Sequence, residues 1–136
     1  MDLTAVLKVS AAGMDAQTTR MRMVAENIAN ADAVPTKPGE DPYRRKMVAF
    51  RNVLDRETGA RVVHANRLVF DKAAFQLRYD PSNPAADDKG YVRMPNVNTL
   101  IETMDMRQAQ RSYEANLGVI EIAKNMVART IDILRG

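Results

Sequence analysis

Apolar residues recur at seven-residue intervals at both ends of the chain. Near the amino end, Leu7, Met14, Met21 and Ile28 form one column, and Thr4, Ala11, Thr18 and Ala25 form a column of small residues three positions earlier. A large column beside a small one, kept over four heptads, is the pattern of a helix that packs closely against another helix. It predicts a helix of roughly 28 residues, about 42 Å long. The carboxyl end repeats the design. Met106, Tyr113, Ile120, Val127 and Leu134 lie seven apart, with Ala109, Asn116, Ala123 and Thr130 as the small column. Pro95 precedes this second helix, and Thr99-Leu100-Ile101-Glu102 fits the S/T-x-x-E capping box that marks a helix start.

Between the helices the pattern changes. All six prolines fall between positions 35 and 95, which breaks helical periodicity. Phe75-Gln76-Leu77-Arg78-Tyr79 alternates with the period of a strand. Lys46–Phe50, Arg61–His64 and Gly90–Met94 are three further short candidates. Asp80-Pro81-Ser82-Asn83-Pro84 has the chemistry of a turn, because Pro presets φ and Asp and Asn bond their own backbone. Ala33–Gly39 reads as a mobile linker. The predicted fold is therefore mostly α with a small β insert. Residues 1–33 are an amino-terminal helix, 34–95 a loop and small β-rich region, and 96–136 a carboxyl-terminal helix that pairs with the first in coiled-coil fashion.

Composition narrows the function more by exclusion than by suggestion. The chain has 136 residues, one domain's worth, with 46% hydrophobic residues. Aromatics are only 5% while methionine reaches 9, so adaptable aliphatic packing is expected rather than an aromatic core. The net charge of +3 is too mild for a dedicated nucleic-acid binder. No stretch approaches the length of a membrane span, so no membrane insertion is expected. The first residues lack the basic start and long apolar run of a cleaved signal peptide. With no cysteine there is no disulfide, thiolate zinc site or cysteine nucleophile.

Candidate chemistry is sparse. The single histidine, His64, stands in a predicted strand without an oriented partner, and no nucleophile elbow, phosphate loop or metalloprotease motif occurs. Asp87-Asp88 near Asp80 lacks the spacing of a calcium loop. Glu102 and Asp105, one helical turn apart, read as capping and surface residues. Tyr43-Arg44-Arg45-Lys46 is the sharpest basic cluster and reads as a solvated loop end flanking a strand, with contact to phosphates or to an acidic partner as the other reading. The sequence thus points to no enzyme and to no catalytic, cofactor or metal site. A helix with an apolar stripe that its own chain does not cover needs a partner. A hairpin closed within one molecule is the simplest alternative for the two heptad helices.

The residues are specific enough to carry a resemblance. Ser10-Ala11-Ala12-Gly13-Met14-Asp15-Ala16-Gln17, followed by Ala25-Glu26-Asn27-Ile28-Ala29-Asn30-Ala31, resembles the amino-terminal signature of bacterial flagellar rod, hook and hook-associated proteins. Arg111-Ser112-Tyr113-Glu114-Ala115-Asn116 resembles that family's carboxyl-terminal signature. Three middle blocks, Tyr43–Lys46, Tyr79–Asp87 and Gly90–Asn98, together with the short length, narrow the likeness to a rod subunit. Two blocks depart from the family pattern, Asp32-Ala33-Val34-Pro35 and Leu100-Ile101-Glu102-Thr103.

The resemblance implies a structural, non-catalytic subunit of the proximal rod in the flagellar basal body. Copies would stack helically with other rod proteins into a hollow drive shaft across the periplasm. Its paired terminal helices would form the inner tube and its middle segment an outer domain. Its partners would be other copies of itself and other flagellar rod proteins, with the basal-body ring proteins and the flagellar export apparatus as further contacts. Export would need no cleaved signal. The assembly interface expected from the two columns and signatures comprises Leu7, Ala11, Met14, Met21, Ala25, Asn27, Ile28 and Asn30 on the first helix. On the second it comprises Met106, Ala109, Tyr113, Asn116, Ile120, Ala123, Val127 and Leu134. Helices with so little to bury against in a lone subunit should be poorly ordered before assembly. The competing reading from another class is a soluble coiled-coil binding module or export chaperone.

Overall fold

The computed structural model describes residues 2–136. Two long helices carry the fold: α1 (Leu3–Ala29) and α2 (Thr99–Arg135). The Asp2 side chain caps α1 by accepting from the amides of Thr4 (2.9 Å) and Ala5 (3.3 Å). At the other end the Asn30 side chain donates to the Glu26 carbonyl (2.8 Å) and closes the last turn. The start of α2 differs from the expected capping box. Asn98, not Thr99, is the cap, accepting from Leu100 (3.0 Å) and Ile101 (3.3 Å). Glu102 is then the fourth helical residue, too far along to reach back to the cap, and its side chain turns inward instead.

The helices pair antiparallel. Arg20 donates to Asp105 (3.1 Å), Asn27 meets Glu102, and Gly13 lies against Asn116. On α2 the buried and half-buried positions include Glu102, Met106, Ala109, Tyr113, Asn116, Ile120, Ala123 and Val127, with Asp105, Ser112 and Gly118 beside them. The heptad frame read from the sequence holds as far as Val127, and Thr130 and Leu134 are exposed. On α1 the frame is displaced by one residue. Ser10, Gly13, Val24 and Asn27 are buried, with Leu3, Val6, Gln17 and Arg20 half-buried between and before them. The displacement has a steric cause. A Cβ on Gly13 would stand 2.8 Å from Asn116 Nδ2, so the closest approach of the helices is built on a residue with no side chain. The polar residues Arg20 and Asn27 take seam positions because α2 supplies their partners.

Strands β1 (Lys46–Leu54) and β2 (Arg61–Phe70) form an antiparallel hairpin, with a bulge at Ala49/Phe50 that shifts the register. Both run further than the short expected strands. The hairpin lies along α1. Lys46 Nζ pairs with Glu26 (3.0 Å) at its root, and Lys8 pairs with Asp55 (3.4 Å) and Glu57 at its tip. The spans agree: nine strand residues and the 18 helical steps from Lys8 to Glu26 both cover about 27–30 Å.

Strands β3 (Gln76–Tyr79) and β4 (Tyr91–Met94) form a second, shorter hairpin. Gly90 turns its chain at φ 82, where a Cβ would press into the Tyr79 ring. Val92 and Met94 pack with Ala85 into a small core, against which Val34 and Ala86 lie. The expected linker at 33–39 thus has no regular structure, yet is anchored at Val34. Phe75 stands outside β3, its ring stacked between the guanidinium groups of Arg44 (4.2 Å) and Arg93 (5.1 Å).

Candidate assembly faces and the polar junction

The sixteen residues expected at an assembly interface divide between two settings. Gly13's neighbour Asn116, and Met106, Ala109, Tyr113, Ile120, Ala123 and Val127, lie in the seam inside the subunit. Ala109 is 0% exposed and Ala123 2%. On α1, Leu7, Met14, Met21 and Asn30 are half-buried, while Ala11, Ala25 and Ile28 are exposed. Leu134 is exposed near the carboxyl end. Of the expected residues on α1 only Asn27 is buried, and its role is polar. The columns on α2 therefore close the hairpin, whereas those on α1 stand beside that seam, partly open to solvent.

Other apolar side chains form the open surface. On α2, Leu100 (69% exposed), Ile101, Met104, Ile122, Ile133 (80%) and Leu134 (81%) face outward. From the pairing of Asn27 with Glu102 and Gly13 with Asn116, Leu3 falls opposite a point near Met126. The last turns of α2 then run past the start of α1 by about 13 Å. Helix faces this apolar, on a helix this long, are unusual on a monomer's surface. Of these residues only Leu134 belongs to the seven-residue columns; the others lie outside those columns and so were not marked by periodicity.

A polar junction joins the helices to the β1–β2 hairpin. Glu102 is 0% exposed. It accepts from Arg45 Nε and from Asn27 Nδ2 (3.0 Å). Asn27 Nδ2 also donates to the Lys46 carbonyl (2.8 Å), and Asn27 Oδ1 accepts from the Lys46 amide (2.9 Å) and the Tyr43 hydroxyl (2.8 Å). Every bonding position of that amide is used. The Arg45 guanidinium also lies 3.4 Å from Asp71 and 3.6 Å from Asp105. Burial works against the Arg45 charge, but its bonds to Glu102 and Asp71 outweigh that and raise its pKa. Burial also raises the Tyr43 hydroxyl, which keeps it a donor. The Tyr43–Lys46 cluster is accordingly not a solvated loop end: its cations are spent within the subunit. Glu102 is likewise neither capping nor a surface residue, since only a buried position brings it to Arg45.

The remaining candidates stand apart from this junction. His64 is an exposed strand residue. Asp87 serves its own turn by accepting from the Lys89 and Tyr91 amides, each at 2.9 Å. No cluster of three metal-ligating side chains occurs among the described residues, and no helix is long and apolar enough to cross a membrane.

Two long terminal helices, apolar on the outside as well as in their seam and bridged by a small β region, define an assembly subunit of the helical-terminus kind. Comparison with known proteins gives the family. A family model described as the flagellar basal body rod FlgEFG protein C-terminal region matches residues 88–133. The flagellar basal-body rod protein FlgC of Agrobacterium fabrum is 51% identical over 133 residues, 98% of this chain and 96% of that one. The FlgC proteins of Aquifex aeolicus (40% identical; 97% of each chain) and Salmonella typhimurium (36%; 98% of each) are similar over as much of their length. The chain belongs to the FlgC family of flagellar basal-body rod proteins. It is a structural rod subunit, and the family places it in the flagellar basal body.

Proposed function

We propose that the chain is a non-catalytic subunit of the proximal rod, stacking helically with copies of itself and with other rod proteins into the shaft that transmits torque. Residues 34–95 form its outer part. The observation that carries this reading is the apolar exterior of the helix pair, above all the overhanging end of α2. A contact between two different faces that does not close on itself builds a helical filament, and the outward faces of α1 and α2 are different surfaces. A discrete chaperone dimer would instead bury one self-complementary patch and stop. The subunit reaches the periplasm through the flagellar export apparatus without a cleaved signal, and its hairpins are available to surrounding ring proteins.

Charge placed on the outer faces tests the reading. Ile133→Asp and Ile28→Asp should leave the purified chain folded by circular dichroism, while the variant is lost from isolated basal bodies and cells do not swim. An unpaired carboxylate held in an apolar contact costs several kcal/mol. Normal motility with both variants present in basal bodies would refute the role given to these faces.

A further inference from the structure

The β1–β2 hairpin packs along α1 with Val62 buried, and polar side chains tie it to the helix at two places that differ in kind. At the tip, Lys8 meets Asp55, whose side chain is 23% exposed, and Glu57, whose side chain is 84% exposed. Exposed ion pairs contribute little and fade as salt is added. At the root, two successive residues are gripped from different sides. The Asn27 amide bonds both the N–H and the C=O of Lys46, as the backbone of a neighbouring strand would. Arg45 is held through its own N–H by Asn96 Oδ1 (2.8 Å) and through its guanidinium by Glu102. Two bonds from one planar amide fix the plane of the Lys46 backbone, and the grip on Arg45 prevents rotation about the preceding bond.

From this contrast we infer that Asn27, Arg45 and Glu102 are positioning residues that set the direction in which the β1–β2 hairpin leaves the helix pair. The tip contacts only steady it. Buried ionic and amide groups of this kind serve specificity of arrangement more than stability. The consequence for assembly rests on the rod reading: in a helical stack every copy must present its hairpin at the same angle, and a subunit with a loose root cannot. The positioning itself is a property of the single chain and stands or falls without that reading.

The chain has no cysteine, so spin labels can be placed on Arg56→Cys at the hairpin tip and Glu114→Cys on the exposed side of α2. The distance distribution between them is measured by pulsed electron resonance at about 0.5 M NaCl, where screening shortens to about 4 Å and the tip pairs are weak. The parent should give one narrow distribution. Asn27→Asp sets a second carboxylate against Glu102 and should broaden it roughly twofold. Adding Glu102→Gln to that variant restores a donor facing an acceptor between residues 27 and 102 but leaves the Lys46 carbonyl without its donor, and should recover part of the parent's width. Glu102→Gln alone should also broaden the distribution, and it carries the test if Asn27→Asp does not fold. A parent already broad at this salt would assign the positioning to the tip and overturn the inference. So would single variants as narrow as the parent, or a double variant as broad as Asn27→Asp. Loss of the rod reading would show instead as normal motility in the outer-face variants, with these distributions unaffected.

Discussion

Ala109 and Ala25 look alike in the sequence, as small residues beside large ones in a heptad, but the structure separates them. Ala109 is fully buried in the seam against α1, near Gln17 and Arg20, while Ala25 lies exposed on α1. Enlarging Ala109 to Leu inserts three heavy atoms where no space exists. Overpacking of that kind costs about 1–3 kcal/mol, and the Arg20–Asp105 pair across the seam would be strained apart as well. Against a total stability of about 5–15 kcal/mol for a domain, that is a measurable fraction. Ala25→Leu adds the same atoms to open solvent and should change the monomer by no more than about 0.5 kcal/mol. Urea denaturation of the two purified variants, followed by circular dichroism, gives the first comparison. Incorporation into basal bodies gives the second, where Ala25→Leu should fail if that face meets a neighbour. Ala60→Leu, in the turn between β1 and β2, is the control for both. Equal loss of monomer stability in Ala109→Leu and Ala25→Leu would refute the displaced frame on α1.

Gly13→Val should destabilise the subunit by more than Gly13→Ala, whose crowding of Asn116 is partly offset by the gain of about 1 kcal/mol in helix propensity; thermal melts of the two variants check the order. Asp55 is held below the usual carboxylate pKa, first by the Thr58 amide and then by Glu57 N–H and Lys8. A depressed folded pKa contributes stability above the unfolded value near 3.9 and loses it as pH falls through the folded one, so the hairpin tip should loosen only below about pH 4. In an NMR titration of the Asp55 carboxyl, Lys8→Met should remove only part of the depression. Amide hydrogen exchange of the monomer should show strongest protection around Asn27, Lys46 and Glu102, and weakest protection over the last two turns of α2, where no α1 residue lies opposite.

Much of this arrangement was legible before any coordinates. The loss of proline outside positions 35–95 and the heptad columns marked both helices, and the α2 frame was correct because Met106, Tyr113, Ile120 and Val127 do line the seam. The α1 frame was misplaced because the rule ranks large apolar residues inward. Here the seam takes Ser10, Gly13, Arg20 and Asn27 and leaves Met14 and Met21 at its side. That choice depends on Asn116, Asp105 and Glu102, which lie 75–103 positions away in sequence, so no local window contains it. The polar junction was hidden for the same reason. Arg45 beside Arg44 and Lys46 reads as solvated charge, and Glu102 reads as a cap, until the fold brings the two together. Strand lengths were underestimated because the bulge at Ala49/Phe50 interrupts the alternation that marks a strand.

The division between the two helix faces bears on how a rod subunit can be both exportable and rigid once in place. The apolar residues fully buried along the helix seam are small ones, Ala16, Val24, Ala109 and Ala123, together with a set of polar contacts that fix register. Met106, Tyr113, Ile120 and Val127 lie beside them only half-buried, so the seam buries less apolar area than a closed core would. The larger apolar groups, Leu100, Ile101, Met104, Ile122, Ile133 and Leu134, are kept outside. Each contributes about 1.5–3 kcal/mol when fully buried, and in a filament that gain recurs at every copy. Free energy that binds only the assembled state adds to the stability of the helices there and is absent in the lone chain. Neighbours covering these faces would add stiffness that the lone helix pair does not have. Moving the large side chains into the seam would reverse this, giving a stable monomer with nothing left to hold a shaft together.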